Sequence, residues 1–301
     1  MTVLVFGGNG QVGTELRRAL APLGAVVFTT RSGQLDGQAC EAADFDRPRS
    51  LDAVLERVRP TVVINAAAYT AVDAAEGDAD AAWRANAEAP AQIAGWCAQH
   101  GVPLVHYSTD YVFDGSGERP YAEGDATAPL GVYGQSKRAG EEAIIGSGAP
   151  YLIFRTAWVY ARHGRNFLRT MLRLGSEREQ LRVVADQIGT PTPAALIADV
   201  TVQVLQSDAL QSGIWHLTAN GQTSWHGFAE EIFAQAHAAG LIARVPQLEA
   251  ISTADYPTPA RRPAWSVLDN RKLQQDFGIV LPDWQQGLHR VMAELVAARH
   301  M

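Results

Sequence analysis

Tyr133 and Lys137 lie four residues apart in Tyr133-Gly134-Gln135-Ser136-Lys137. On a helix they share a face, one turn apart. An ammonium so placed favours the phenolate and lowers the phenol's pKa, which makes the tyrosine a usable acid or base near neutral pH. Alone the pair says little, because a half-buried ring beside a solvated lysine gives the same spacing. Two further stretches give it weight. Gly7-Gly8-Asn9-Gly10-Gln11-Val12-Gly13 follows an apolar run at the N-terminus. His106-Tyr107-Ser108-Thr109-Asp110-Tyr111 follows another, roughly two dozen residues before the tyrosine. In chain order the three supply a nucleotide cradle, a hydroxyl that can polarise an oxygen, and a proton donor.

Elements must hold these groups in place. Residues 3–6 are apolar and end at glycine, as a buried parallel strand does. The glycines follow, then residues 14–20 with helical spacing. Strand, glycine-rich turn and helix are the context a dinucleotide fingerprint requires. Gly8, Gly10 and Gly13 match G-x-G-x-x-G, while Gly7, Gly10 and Gly13 match the wider G-x-x-G-x-x-G. Residues 25–29 read as the second strand. Enzymes that prefer NAD often carry Asp or Glu at its end for the ribose 2′-hydroxyl, but Thr29, Thr30 and Arg31 stand here. A missing carboxylate beside an arginine tilts the reading toward a 2′-phosphate; a solvated loop cation is the alternative. Asp44-Phe45 suits an adenine neighbour, or equally a helix-start residue and a core ring.

Residues 50–58 are amphipathic, and 61–65 form a third strand running into Asn65-Ala66-Ala67-Ala68-Tyr69-Thr70. Small residues at a strand's C-terminal end admit a ligand. Residues 79–100 read as a long helix broken or kinked at Pro90, 103–107 as the fourth strand and 115–129 as a mobile loop. Residues 130–145 carry the Tyr–Lys pair on a helix, and 151–156 form the next strand. This alternation predicts an α/β fold, a Rossmann-type doubly wound parallel sheet. Beyond Trp158 the pattern loosens into helices at 166–174, 223–238 and 284–299, extended runs at 181–184 and 213–217, and turn-rich stretches at 186–193 and 254–263. The expected division is a dinucleotide-binding domain over 1–160 and a smaller α+β substrate lobe over 161–301, with segments near 185–220 returning to the first domain.

The chain's 301 residues, 47% hydrophobic and 19% charged, have ordinary globular composition. A net charge of −7, with no basic run longer than two residues, argues against nucleic acid as a partner. Anionic ligands remain compatible, since backbone N–H groups at a helix start can hold them. Cys40 and Cys97 are too few for a disulfide framework and lie in no metal-ligand spacing. No apolar stretch has membrane-spanning length, so a soluble cytoplasmic protein is expected.

Carbonyl reduction by a nicotinamide needs a held cofactor, a polarised carbonyl oxygen and a proton for the alkoxide. The cofactor carries the hydride. Tyr133 is the candidate proton donor, Lys137 its modulator and Thr109 the polarising hydroxyl, with Ser108 its rival. There is no G-x-S-x-G elbow, H-E-x-x-H pair or P-loop. His106, inside a strand, reads as a satisfied core histidine. Asp73 and Glu76 suit a helix start. Trp158 follows a strand end, where an indole can stack on a sugar or pack in the core. Arg262 can pair with a diphosphate or bridge the lobes.

These stretches resemble the extended short-chain dehydrogenases/reductases, and within them the dTDP-4-dehydrorhamnose reductases. The likeness is carried by Phe6 to Gly13, Asn65 to Asp73, Ser108 to Phe113 and Tyr133 to Lys137. It continues through Phe154-Arg155-Thr156-Ala157-Trp158-Val159-Tyr160, Asp186 to Thr192 and Tyr256 to Pro263. The resemblance implies reduction of the C4 ketone of a dTDP-linked 6-deoxyhexulose, the last step of dTDP-L-rhamnose synthesis. It implies that Gly10, Gln11 and Val12 meet the cofactor pyrophosphate and that Asp44 and Phe45 sit by the adenosine; Gly7 and Gly13 of the fingerprint, and Thr30 and Arg31 at the end of the second strand, complete the expected cofactor site. Ala68, Tyr69, Thr70 and Tyr107 would line the cofactor; Thr109, Asp110 and Trp158 would contact the sugar. Some members have aspartate at the end of the second strand; Thr30 stands there, so NADPH is expected, with NADH possible. Some members hold a divalent cation at a dimer contact with acidic side chains. Glu15 and Glu294 fit that pattern but Ala195 does not, so no Mg2+ requirement is expected, and a monomer or weak homodimer. The rival readings are a nucleotide-sugar epimerase or dehydratase, and a non-catalytic NADP-binding regulatory subunit of methionine adenosyltransferase.

Overall fold

Seven parallel strands carry the fold. In chain order they are β1 Thr2–Phe6, β2 Ala25–Thr30, β3 Glu41–Ala42, β4 Val62–Asn65, β5 Leu104–Thr109, β6 Tyr151–Thr156 and β7 Gly213–His216. They come from a computed structural model describing residues 1–207 and 211–299. Across the sheet the order is β7-β6-β5-β4-β1-β2-β3, and every pairing is parallel. Strand order reverses between β1 and β4, and ligands of open parallel sheets lie in the crevice at that point.

Alternation divides the apolar residues between two layers. Val3, Val5, Val105, Tyr107, Leu152 and Phe154 face one core; Leu4, Phe6, Leu104 and Ile153 face the other. Burial on both faces explains why the strands read as unbroken apolar runs. On the first face the helix Ala194–Leu205 packs against Gln11–Ala19 and contributes Ile197, Ala198, Val200 and Val204. Leu273, Ile279 and Leu281 return to the same core. A third core, with Leu168, Met171, Phe228, Phe233, Trp284 and Leu288, joins the later helices. It lies beside the parallel pair Gln180–Val184 and Gln247–Ile251. No helix among the described residues is long and apolar enough to cross a membrane.

Two local findings refine the sequence reading. The long helix is interrupted just before Pro90: Ala79–Trp83 passes through a π turn, Arg84–Glu88, into Ala89–His100. Proline has no N–H to give the carbonyl four residues back, and that carbonyl is Asn86's. Gly140 of the neighbouring helix lies against it so closely that a Cβ there would stand 2.1 Å away. The loop expected to be mobile is instead pinned. Tyr121 N–H donates to Val267 O (2.9 Å), its carbonyl accepts from Asp269 N–H (2.8 Å), and its ring stacks on Phe113 at 4.2 Å.

Candidate active site

The wider glycine pattern is the one that shapes the cradle. Gly7 has φ +85°, and a Cβ there would meet Ala67 N at 2.7 Å. Gly10 caps the Gln11–Ala19 helix and donates to Gly7 O at 3.0 Å. A Cβ on Gly13 would stand 2.1 Å from Gly7 O, so only glycine lets the helix sit this close to the turn. Gly8 donates to Thr29 O (2.8 Å), and a Cβ on it would stand 3.0 Å from Phe28 Cβ. Gln11 and Val12 begin the helix, where N–H groups lack helical partners; the Gln11 side chain accepts from Asn166 (2.7 Å). A cavity of about 260 Å³ opens here, lined by Gly7, Gly10, Thr30, Arg31, Phe45 and Ala68 among others. Asp44 is not on its wall. Its carboxylate meets Arg31 at 3.0 Å, and Arg31 also reaches Asp46 at 3.0 Å. A turn only glycine can follow, a helix start with no side-chain cap and small Ala66 and Ala67 beside them fit a dinucleotide pyrophosphate.

Tyr133, Lys137 and Thr109 come together at the end of β5. Tyr133 and Lys137 lie in the first half of the helix Val132–Gly146. Its N-cap, Gly131, has no side chain to offer, and Glu76 from a distant turn accepts the Val132 N–H instead (2.9 Å). Asn86, fully buried in the π turn, ties the helix to the Tyr69 loop. It accepts from Tyr69 N–H (2.9 Å) and donates to Tyr69 O and Ser136 Oγ (both 3.1 Å). Ala68 and Thr70 are exposed on that loop.

The phenol of Tyr133 is not lowered, contrary to the expectation from spacing. The residue as a whole is partly exposed, but its phenol is enclosed. Burial pushes the phenol up, only partly offset by a hydrogen bond with Thr109, and Asp110 adds to the rise. Lys137, 1% exposed, donates instead to Tyr107 O (2.6 Å) and meets His106 Nε2 (3.2 Å). Burial lowers Lys137 to about 8. Thr109 donates to Asp110 Oδ1 (2.9 Å) and accepts from Tyr111 N–H (3.2 Å). Burial pushes Asp110 up to about 6, opposed by the hydroxyls of Ser266 and Thr109. Ser108 is buried on the other side of the strand, toward Glu141, which it helps keep ionised.

Strand alternation sends the Tyr107 ring to the face opposite His106 and Lys137, where its hydroxyl meets Thr201 Oγ1 at 2.8 Å, while its carbonyl accepts from Lys137. Beneath β5 lies a charged group that the sequence reading missed. Arg155 of β6, 2% exposed, donates to both oxygens of Glu141 (2.8 and 2.7 Å), which lies one turn beyond Lys137. Arg138 adds a third donor at 3.0 Å.

A groove of about 830 Å³ runs through the later part of the chain, lined by Asp73, Phe167, Gln187, Trp225, Tyr256 and Arg262 among others. Arg262 bonds Asp73 (2.7 Å) and the Tyr111 hydroxyl (3.2 Å), and the Tyr111 ring meets Tyr133 edge-on at 5.6 Å. It therefore lines the groove and bridges distant segments at once. Trp158, at φ +46°, stacks on Trp225 at 3.6 Å, and Trp225 rather than Trp158 lines the groove. Glu15 is held by His163 at 2.9 Å and lies 3.7 Å from Arg18, while Glu294 lies 3.7 Å from both Arg162 and Arg290. No group of three or more potential metal ligands is found among the described residues.

Comparison with known proteins bears on the whole chain. The family profile described as the RmlD substrate binding domain matches residues 1–297. The dTDP-4-dehydrorhamnose reductase of Burkholderia thailandensis is 48% identical over 306 residues, covering 99% of this chain and all of that one. That of Escherichia coli K12 is 47% identical, covering 98% of each. A crystal structure of the Bacillus anthracis dTDP-4-dehydrorhamnose reductase in complex with NADP superposes with a TM-score of 0.89 at 33% identity, over 97% of this chain and 99% of that one. With likeness running from end to end, the chain belongs to the dTDP-4-dehydrorhamnose reductase family of oxidoreductases.

Proposed function

We propose that this protein reduces the C4 ketone of dTDP-4-dehydro-β-L-rhamnose to dTDP-β-L-rhamnose, with NADPH preferred over NADH. The observation that carries the reading is the convergence of Thr109, Tyr133 and Lys137 between the glycine cradle and the groove flanked by Arg262. A bound reduced nicotinamide supplies the hydride for C4. Thr109 turns its hydroxyl from Asp110 to the ketone oxygen and stabilises the charge that develops there. Tyr133, kept protonated by burial, gives its proton to that oxygen. Lys137 holds the nicotinamide ribose and favours the phenolate that remains. Asp110 and the stacked Trp158–Trp225 pair bound the sugar, and Arg262 leaves Asp73 for the diphosphate. Absence of a carboxylate at Thr30 and presence of Arg31 at the cavity wall support the 2′-phosphate.

The protein acts as a monomer or weak homodimer with no Mg2+ requirement. In support, Glu15 is spent on His163 and Arg18, and Ala195 offers no ligand. The test is NADPH oxidation with dTDP-4-dehydro-6-deoxyglucose, with and without its 3,5-epimerase. Turnover is expected only when the epimerase is present. Tyr133→Phe should lower kcat by about 10²–10⁴-fold; a variant that keeps most of its turnover would sink the mechanism.

A further inference from the structure

His106 lies at the centre of β5 with no exposed surface, and both ring nitrogens have partners. Burial, and then the neighbouring Lys137, hold its pKa well below the usual value, so the ring is neutral. A neutral imidazole has one donor and one acceptor nitrogen, and its partners decide which is which. Here one partner is itself fixed. Asn65 Oδ1 accepts from the backbone N–H of Ala67 at 3.1 Å, in the turn that follows β4. The amide's other end, Nδ2, therefore points at His106 Nδ1, 3.2 Å away. An NH2 group can only donate, so Nδ1 accepts. The ring proton then resides on Nε2, and Nε2 is the atom 3.2 Å from Lys137 Nζ.

That places an N–H donor against the amine of the lysine. A neutral amine can accept it and still donate to Tyr107 O at 2.6 Å, whereas an ammonium meets a second donor. The other groups facing Lys137 are few. Glu141, one turn along the same helix, is the carboxylate that favours the ammonium, and it is already shared by Arg155 and Arg138. From the sheet side His106 is the titratable group that reaches Lys137.

We propose that Asn65 and His106 act as a positioning pair for Lys137: Asn65 locks His106 as its Nε2–H tautomer, and that N–H steers Nζ onto the Tyr107 carbonyl and opposes the ammonium form. This rests on the role of Lys137 given above. Reduction consumes one proton per turnover, and Tyr133 must regain the proton it gives. A lysine held close to its protonation midpoint near working pH can lose and recover a proton readily; one paired with an acceptor would stay an ammonium.

Histidine 15N NMR of the full-length, ligand-free protein tests the tautomer without turnover. Nε2 should be protonated and Nδ1 bare at neutral pH; an Nδ1–H tautomer overturns the proposal. The pH profile of kcat/KM tests the consequence. Activity should fall as pH rises through about 8, where Lys137 loses its proton. His106→Gln, turned to present its carbonyl oxygen to Nζ, should move that limb up by about one pH unit, a tenfold gain in proton affinity. Asn65→Asp offers a second route that keeps the imidazole. One oxygen still accepts from Ala67 and the other takes an Nδ1–H, so the tautomer flips and the limb moves the same way. Limbs unmoved in both variants, with melting temperature and cofactor affinity retained, overturn the proposal. Absence of turnover in the wild type would instead overturn the proposed function and leave the tautomer result standing.

Discussion

Cofactor choice should be decided at Arg31. The side chain is 69% exposed at the wall of the cavity beside the glycine turn and is held by two carboxylates, Asp44 and Asp46, at 3.0 Å each. Binding a 2′-phosphate must recruit the guanidinium from those partners, so the gain is smaller than that of an unengaged arginine. A hydrogen bond to a charged group contributes ~1.5–3 kcal/mol, and exposure reduces this by solvent screening. A net of ~1.4 kcal/mol corresponds to about tenfold in affinity. Arg31→Ala also leaves Asp44 and Asp46 facing the phosphate, which acts in the same direction. The variant should therefore raise the KM for NADPH by about 10- to 30-fold, leave NADH within about twofold, and leave kcat unchanged with either. The wild-type preference should shrink as salt is raised from low to physiological strength. Initial rates with both cofactors, at two ionic strengths, read all of this. Equal losses with NADPH and NADH would refute the reasoning, because that result makes Arg31 a structural residue. So would an unchanged KM for NADPH.

The other predictions concern the charged groups below and beside the site. Glu141→Gln should destabilise the fold by about 3–5 kcal/mol in urea denaturation, because it leaves Arg155 buried without its counter-charge; replacing both, Arg155→Met with Glu141→Leu, should recover most of that loss. His216 is fully buried and lowered to about 3, chiefly by burial and by Arg155. Its contribution is complete above the unfolded histidine pKa and declines as pH falls toward about 3, by ~2 kcal/mol between pH 7.5 and 5. Asp110, raised to about 6, works in the opposite sense, so the test compares wild type with His216→Leu, in which only the histidine part disappears.

The parts readable in the sequence were those with a local signature. Gly7 and Gly13 are constrained by a turn and a helix within seven residues, and the structure needs glycine there for steric reasons that the spacing already implied, whereas a Cβ at Gly10 would find ordinary contact distances. The parallel strands announced themselves as apolar runs because both faces are buried. Tyr107 shows another local signal: period-two alternation alone separates its ring from His106. Asn86 shows the opposite case. Its role depends on a π turn, and a helical period with a later proline predicts a break without saying which carbonyl is freed or what meets it. Glu141 and Arg155, or Trp158 and Trp225, are joined by strand register and helix packing, and nothing in their own neighbourhoods names the partner.

The expectation that Lys137 would depress Tyr133 failed in an instructive direction. A residue that must release a proton to an alkoxide has to start protonated, and burial secures this for Tyr133 at any physiological pH. A depressed phenol would suit the reverse reaction, in which the tyrosine accepts a proton from an alcohol. Burial favours the uncharged form of all three titratable groups that the proposal places by the ketone: Tyr133 is raised, Asp110 is raised to about 6 and Lys137 is lowered to about 8. A site that favours its neutral forms gives a developing oxyanion no fixed carboxylate charge to oppose it once Asp110 holds its proton. It also makes a hydrogen bond from Thr109 count for more than it would in water. Lowering pH from 8 toward 6 should therefore raise the rate of reduction twice over, first by protonating Lys137 and then by neutralising Asp110. In Asp110→Asn the second rise should disappear while the first remains. A single limb in the wild type, unaltered by that substitution, would mean that Asp110 holds the sugar and has no part in the electrostatics of the step.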